Sequence, residues 1–160
     1  MTQTDLSIPK SRRSVSLWVH PEGRVVGSIF LVKGHEENQD AEAPHDVMNA
    51  ASPFIAVELD AGGELRFYNK NSIIRIEYSE QETIPSPDST TLRCRAQIMD
   101  GTLLEGTIHE VLPPWNARLY DYINTEGHRF LKLALAPGEI CLVNKAYVVH
   151  IAQLDQAATG

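Results

Sequence analysis

Apolar and polar residues alternate one by one through much of this chain. Val15, Leu17 and Val19 alternate with Ser16, Trp18 and His20, which is the period of a half-buried strand. Pro21-Glu22-Gly23 supplies a turn, and a second strand follows with Val25, Gly27, Ile29 and Leu31 on one face. The same pattern returns later. Cys94, Ala96 and Ile98 alternate with Arg95, Gln97 and Met99, and Leu104, Gly106 and Ile108 share the next inward face. Asp100-Gly101 between them predicts a two-residue hairpin, because glycine tolerates the positive φ such a turn demands. Gly27 and Gly106 hold matching places, where a mid-strand glycine marks a bend or a bulge.

Three further strands follow in each half. They are predicted at 54–59, 64–68 and 72–78, and again at 130–135, 139–143 and 146–151. Asp60-Ala61-Gly62-Gly63 and Ala136-Pro137-Gly138 are the turns inside these sets. The segment HDVMNAASPFIAVELDAGGELRFYNKNSIIRI at 45–76 matches YDYINTEGHRFLKLALAPGEICLVNKAYVVHI at 120–151. Asp46 and Asp121 lie 75 positions apart, as do Asn69 and Asn144. A one-residue insertion before Phe130 is cancelled by a deletion before Asn144. A repeat of this kind governs the fold assignment.

The expected fold is therefore all-β: two tandem five-stranded, SH3-like small barrels from an internal duplication. Their predicted spans are 14–78 and 92–155. A flexible arm covers 1–13, a linker 79–91 and a loose tail 156–160. KGHEENQDAEAP at 33–44 reads as an acidic exposed loop, and its counterpart HEVLPPWNARL is shorter and partly apolar. Modules this small bury only ~60% of their unfolded surface, so the halves are expected to pack on each other or on other copies.

Charge narrows the partners. Asp and Glu number 21 against 14 Lys and Arg, for a net charge of −7. That balance opposes tight binding to nucleic-acid backbones, so DNA is not expected and RNA is disfavoured. Two cysteines without Cys-x-x-Cys spacing read as reduced thiols, and the N-terminus has no apolar stretch of a signal peptide. A cytoplasmic protein is expected, with no membrane partner because no apolar run of ~18 residues exists. The six histidines, His20, His35, His45, His109, His128 and His150, lack metal-ligand spacing, so neither metal nor cofactor is expected. No nucleophile elbow, P-loop or dinucleotide fingerprint is present, and the chain is expected to be non-catalytic.

The repeated motifs carry the candidate sites. Asp46-Val47-Met48-Asn49 and Asp121-Tyr122-Ile123-Asn124 are similar to the Asp-x-x-Met-Asn element of the Sm-like family (the Sm, LSm and Hfq proteins). DGTLLEGTI at 100–108 resembles that family's Asp-Gly turn and bent strand. Phe67-Tyr68-Asn69-Lys70 and Leu142-Val143-Asn144-Lys145 stand where the family has a strand ending in Arg-Gly, with Asn-Lys in its place. The resemblance implies an Sm-like fold and a nucleotide pocket at Asn49, Asn69, Lys70, Asn124, Asn144 and Lys145. An Asn amide can read a base edge and a Lys can neutralise a phosphate. Each also has a structural reading. Asp46 and Asp121 would cap a turn or short helix, Asn49 and Asn124 would close it, and Asn-Lys would form a strand connection.

Three functions follow. The first is an oligomerising scaffold or regulatory module, whose partner is a second copy or another protein and whose contact is strand-to-strand pairing. The second is single-stranded RNA binding at the Asn and Lys positions. The third is a small-ligand pocket between the modules, near Trp115 and Arg118.

Overall fold

A computed structural model describes residues 10–32, 42–81, 87–110 and 118–154. The first half contains β1 (Lys10–Val19), β2 (Gly23–Val32), a short helix α1 (Pro44–Asn49), β3 (Phe54–Leu59), β4 (Leu65–Asn69) and β5 (Ile73–Ser79). The second contains β6 (Thr90–Ile98), β7 (Leu103–Glu110), α2 (Leu119–Ile123), β8 (Phe130–Ala136), β9 (Glu139–Asn144) and β10 (Val148–Gln153). One 3-10 turn joins β4 to β5 at Lys70–Ser72, and another joins β9 to β10 at Lys145–Tyr147. Residues 1–9, most of the acidic loop (33–41), the linker core (82–86), the segment with Pro113-Pro114-Trp115 (111–117) and the tail (155–160) lie outside the described residues.

The alternation seen in the sequence is the burial pattern of the strands. Val15, Leu17 and Val19 are buried, as are Val25, Ile29 and Leu31 on β2. Gly27 is required by a close approach: a Cβ there would sit 2.5 Å from the Glu58 carbonyl oxygen of β3. Gly106 plays the same part against β8, where a Cβ would meet the Leu133 Cβ at 3.1 Å. The hairpin at Asp100-Gly101 departs from the expected two-residue turn. Ile98 N–H donates to Thr102 O, which leaves three loop residues with Gly101 at φ 92°. Three-residue loops of this kind place a left-handed residue last.

The ten strands of the described residues form one antiparallel sheet, in the order β10-β6-β7-β8-β9-β5-β1-β2-β3-β4. Each half repeats one order, with its fifth strand beside its first. The expected two separate closed barrels are not what the hydrogen bonds show. The sheet is single and open, because β5 pairs with β9 of the other half, from Arg75 opposite Val143 to Ser79 opposite Glu139. An edge strand carries unpaired N–H and C=O groups, and this junction satisfies both edges at once. It leaves β4 and β10 as the two ends of the sheet.

Two apolar clusters lie along the sheet, and they interlock. The first gathers buried residues of β1–β5 and Met48, together with Phe130, Ile140 and Leu142 from the second half. The second gathers residues of β6–β9 and α2, together with Ile74 from the first half. Arg75 crosses the same seam. Its guanidinium lies 3.9 Å from the Trp18 ring centroid and 3.6 Å from an Asp100 carboxylate oxygen.

The expected flexible arm ends earlier than 1–13. Lys10 through Arg13 belong to β1 and pair with β2 from Val32 to Ile29. Arg12 pairs with Glu58 at 3.0 Å, and Arg13 donates to Ser79 O at 2.8 Å. Two basic residues of the expected flexible arm thus hold strands together. Among the described residues no helix is long and apolar enough to cross a membrane.

Candidate functional site

The repeated Asn-Lys pairs end β4 and β9. Asn69 accepts from Asn71 N–H at 2.9 Å, and Asn144 accepts from Ala146 N–H at 2.9 Å, so each caps its 3-10 turn. The lysine that follows turns back into its own half. Lys70 Nζ donates to Val47 O at 2.7 Å, Ala50 O at 3.1 Å and Ser52 Oγ at 3.3 Å. The last carbonyls of a helix lack intrahelical donors, and an ammonium there is favourable. Lys145 does the same with less: it donates to Thr125 O at 3.0 Å, and Thr125 is the counterpart of Ala50. Burial lowers the pKa of both lysines. At Lys70 the nearby Arg129 adds to that and Glu42 opposes it.

The two aspartates share a position but not a partner. Each is the third residue of its helix. Asp46 reaches back to accept from Ala43 N–H at 2.9 Å. Asp121 instead accepts from Arg118 Nε at 2.9 Å and Nη2 at 3.3 Å. Both therefore serve the start of the helix rather than the residues after them. The Arg118 expected near a ligand pocket is engaged in this pair, and Trp115 is not among the described residues.

Asn49 and Asn124 differ most. Asn49 leaves its own half and takes both backbone groups of Phe130. Phe130 N–H donates to Asn49 Oδ1 at 2.8 Å, and Asn49 Nδ2 donates to Phe130 O at 3.3 Å. Asn124 stays local, donating to Tyr120 O at 2.8 Å. Asn144 also crosses the seam, with Nδ2 donating to Lys70 O at 3.3 Å and Ile73 O at 2.9 Å.

Of the six candidate residues, Asn49, Lys70 and Asn144 therefore meet at the seam. Asn69 lies at the open β4 edge, and Asn124 and Lys145 lie on the side of β10. Beside the seam, an open cleft of about 510 Å³ is lined by Asn49, Ala50, Ala51 and residues 125–129. The His45 ring meets His128 edge-on at 5.8 Å. Burial lowers the His45 pKa, which keeps its imidazole neutral at pH 7. Neither histidine nor Arg129 stood out in the sequence, because they come together only when the halves dock.

The reactive groups are subdued. Burial pushes the Cys94 thiol up to about 11 and Cys141 up to about 12, so both stay protonated at neutral pH. Among the described residues no group of three or more His, Cys, Asp or Glu could hold a metal ion.

The paired lysines give a direct test. Lys70→Met leaves Ala50 O without its donor and Val47 O with the Ala50 N–H alone, and should cost about 2–4 kcal/mol. Lys145→Met removes one partly exposed bond, and should cost about 1 kcal/mol or less. Urea denaturation of the two variants measures the difference. Comparison with family models, with curated proteins and with solved structures gives no match to this chain.

Proposed function

We propose that this protein is a non-catalytic scaffold, a tandem of two Sm-like modules that assembles with further copies of itself through the ends of its sheet. One observation carries the reading. Phe54, Leu65, Phe67 and Val149 lie at those ends and are between 51 and 68% exposed. Their repeat counterparts Phe130, Ile140, Leu142 and Ile74 lie at the β5–β9 seam and are at most 7% exposed. Among the described residues, the ends thus carry the apolar residues of the seam with no partner over them. Exposed apolar strand edges of this kind favour pairing with another chain.

The two ends complement each other and not themselves. A β10 edge meeting a β4 edge is a head-to-tail contact, which closes a ring or extends a filament. The same strand order in both halves, with the fifth strand beside the first, supports this reading. Single-stranded RNA binding remains the second proposal. It would use the cleft beside Asn49, where Arg129 and His128 supply charge and a ring.

Sedimentation equilibrium of the native protein tests the assembly, with the ultraviolet absorbance ratio read on the same sample. A mass of several chains with a protein-like ratio is the expected result. A single-chain mass at high concentration overturns it. A nucleic-acid ratio that survives high salt favours the RNA proposal.

A further inference from the structure

Asn124 and Asn69 are the repeat counterparts of Asn49 and Asn144, the two asparagines that bridge the seam. We infer that Asn124 and Asn69 are interchain latches, recognising backbone groups of a second copy of this chain. The inference rests on the assembly proposed above and goes further by naming its polar contacts.

At the seam both latches are seen closed. Asn49 holds the N–H and C=O of Phe130, and Asn144 donates to Lys70 O and Ile73 O. The repeat maps Asn49 onto Asn124 and Phe130 onto Phe54. It maps Asn144 onto Asn69, Lys70 onto Lys145 and Ile73 onto Val148. At a junction of β10 with β4 of the next copy, Asn124 would therefore release Tyr120 O and hold Phe54. Asn69 of that copy would donate to Lys145 O and Val148 O.

The receiving backbone is already set. Lys145 N–H donates to Arg129 O, so Phe130 and Asn144 form a non-hydrogen-bonded pair, and the Phe130 amide groups point off the ladder toward Asn49. Lys70 N–H donates to Pro53 O in the same way, and Phe54 opposite Asn69 repeats the pair. The donating Asn69 is half ready. Its Oδ1 is used by the turn cap, as in Asn144, which leaves Nδ2 for a neighbour. The apolar contacts agree with this register. Ile76 faces Leu142 across the seam, so Ile151 would face Phe67 of the next copy.

Asn69→Asp is the decisive variant. It keeps the oxygen that caps the turn but replaces the donor with a carboxylate aimed at two carbonyls. Asn124→Ala removes the other latch, and Asn144→Asp is the seam control. Circular dichroism first establishes that each is folded. Sedimentation equilibrium should then show Asn69→Asp and Asn124→Ala dissociating at about tenfold higher concentration or more. Asn144→Asp should lower the urea midpoint of the chain. Wild-type association in both edge variants removes the latches and leaves the assembly standing. A single-chain mass for the wild type removes both. Association unchanged with RNA affinity lost in Asn69→Asp assigns that residue to a nucleotide and overturns the latch.

Discussion

Phe130→Ala lowers stability by about 3–5 kcal/mol and unfolds both halves of the chain in one transition. Phe130 opens β8 of the second half, yet its fully buried ring belongs to the cluster of the first. Ile140 and Leu142 cross in the same sense, and Ile74 crosses in the other. Each half alone would be marginal, and each lends the other apolar surface that it cannot supply itself. A cavity of this size takes a large share of a typical total of ~5–15 kcal/mol. The melting temperature should fall on the order of 10 °C. Differential scanning calorimetry should show one peak before and after the substitution. Two peaks, with only one displaced, would show that the halves fold independently.

Phe67→Lys has the largest expected effect on assembly and almost none on the chain. Phe67 is exposed on β4, so lysine there should change chain stability by only about 0.5 kcal/mol. Its counterpart Leu142 is fully buried against Ile76 at the seam. An edge lysine is also a common device against strand pairing. Between chains it would bury an ammonium opposite Ile151 with no partner. Association should weaken at least about a hundredfold, read by sedimentation equilibrium. The matching Leu142→Lys should instead unfold the protein. An unchanged mass for Phe67→Lys would rule out the β4 edge as the contact.

Much of the fold was legible in the residues. Single alternation located β1, β2, β6 and β7, and the repeat placed the other strands to within two or three residues. Gly27 and Gly106 were found as special positions, although their reason is the nearness of the next strand's backbone. Other features could not be read. Nothing local to β5 or β9 says that each is the other's partner, since either could have closed on its own half. The start of β1 was hidden because Lys10-Ser11-Arg12-Arg13 is polar. A polar run has no apolar period to distinguish a solvated strand from a tail, and the partners of its arginines, Glu58 and Ser79, lie far along the chain.

The candidate site divided in the same way. The motif positions were visible, and the Asx caps at Asn69 and Asn144 follow from local chemistry. The reach of Asn49 to Phe130 spans 81 positions and depends on how the halves dock. Identical residues therefore took different duties: Lys70 is buried under three oxygens, while Lys145 touches one.

The crossing of Phe130, Ile140 and Leu142 also sets an order of events during synthesis. The ribosome completes β1–β5 before any of these three side chains has been made. The N-terminal half must wait, with greasy surface uncovered, until β9 emerges. Its final shape is thus a late event, and splitting the gene between β5 and β6 would yield an N-terminal product inclined to stick to whatever it meets.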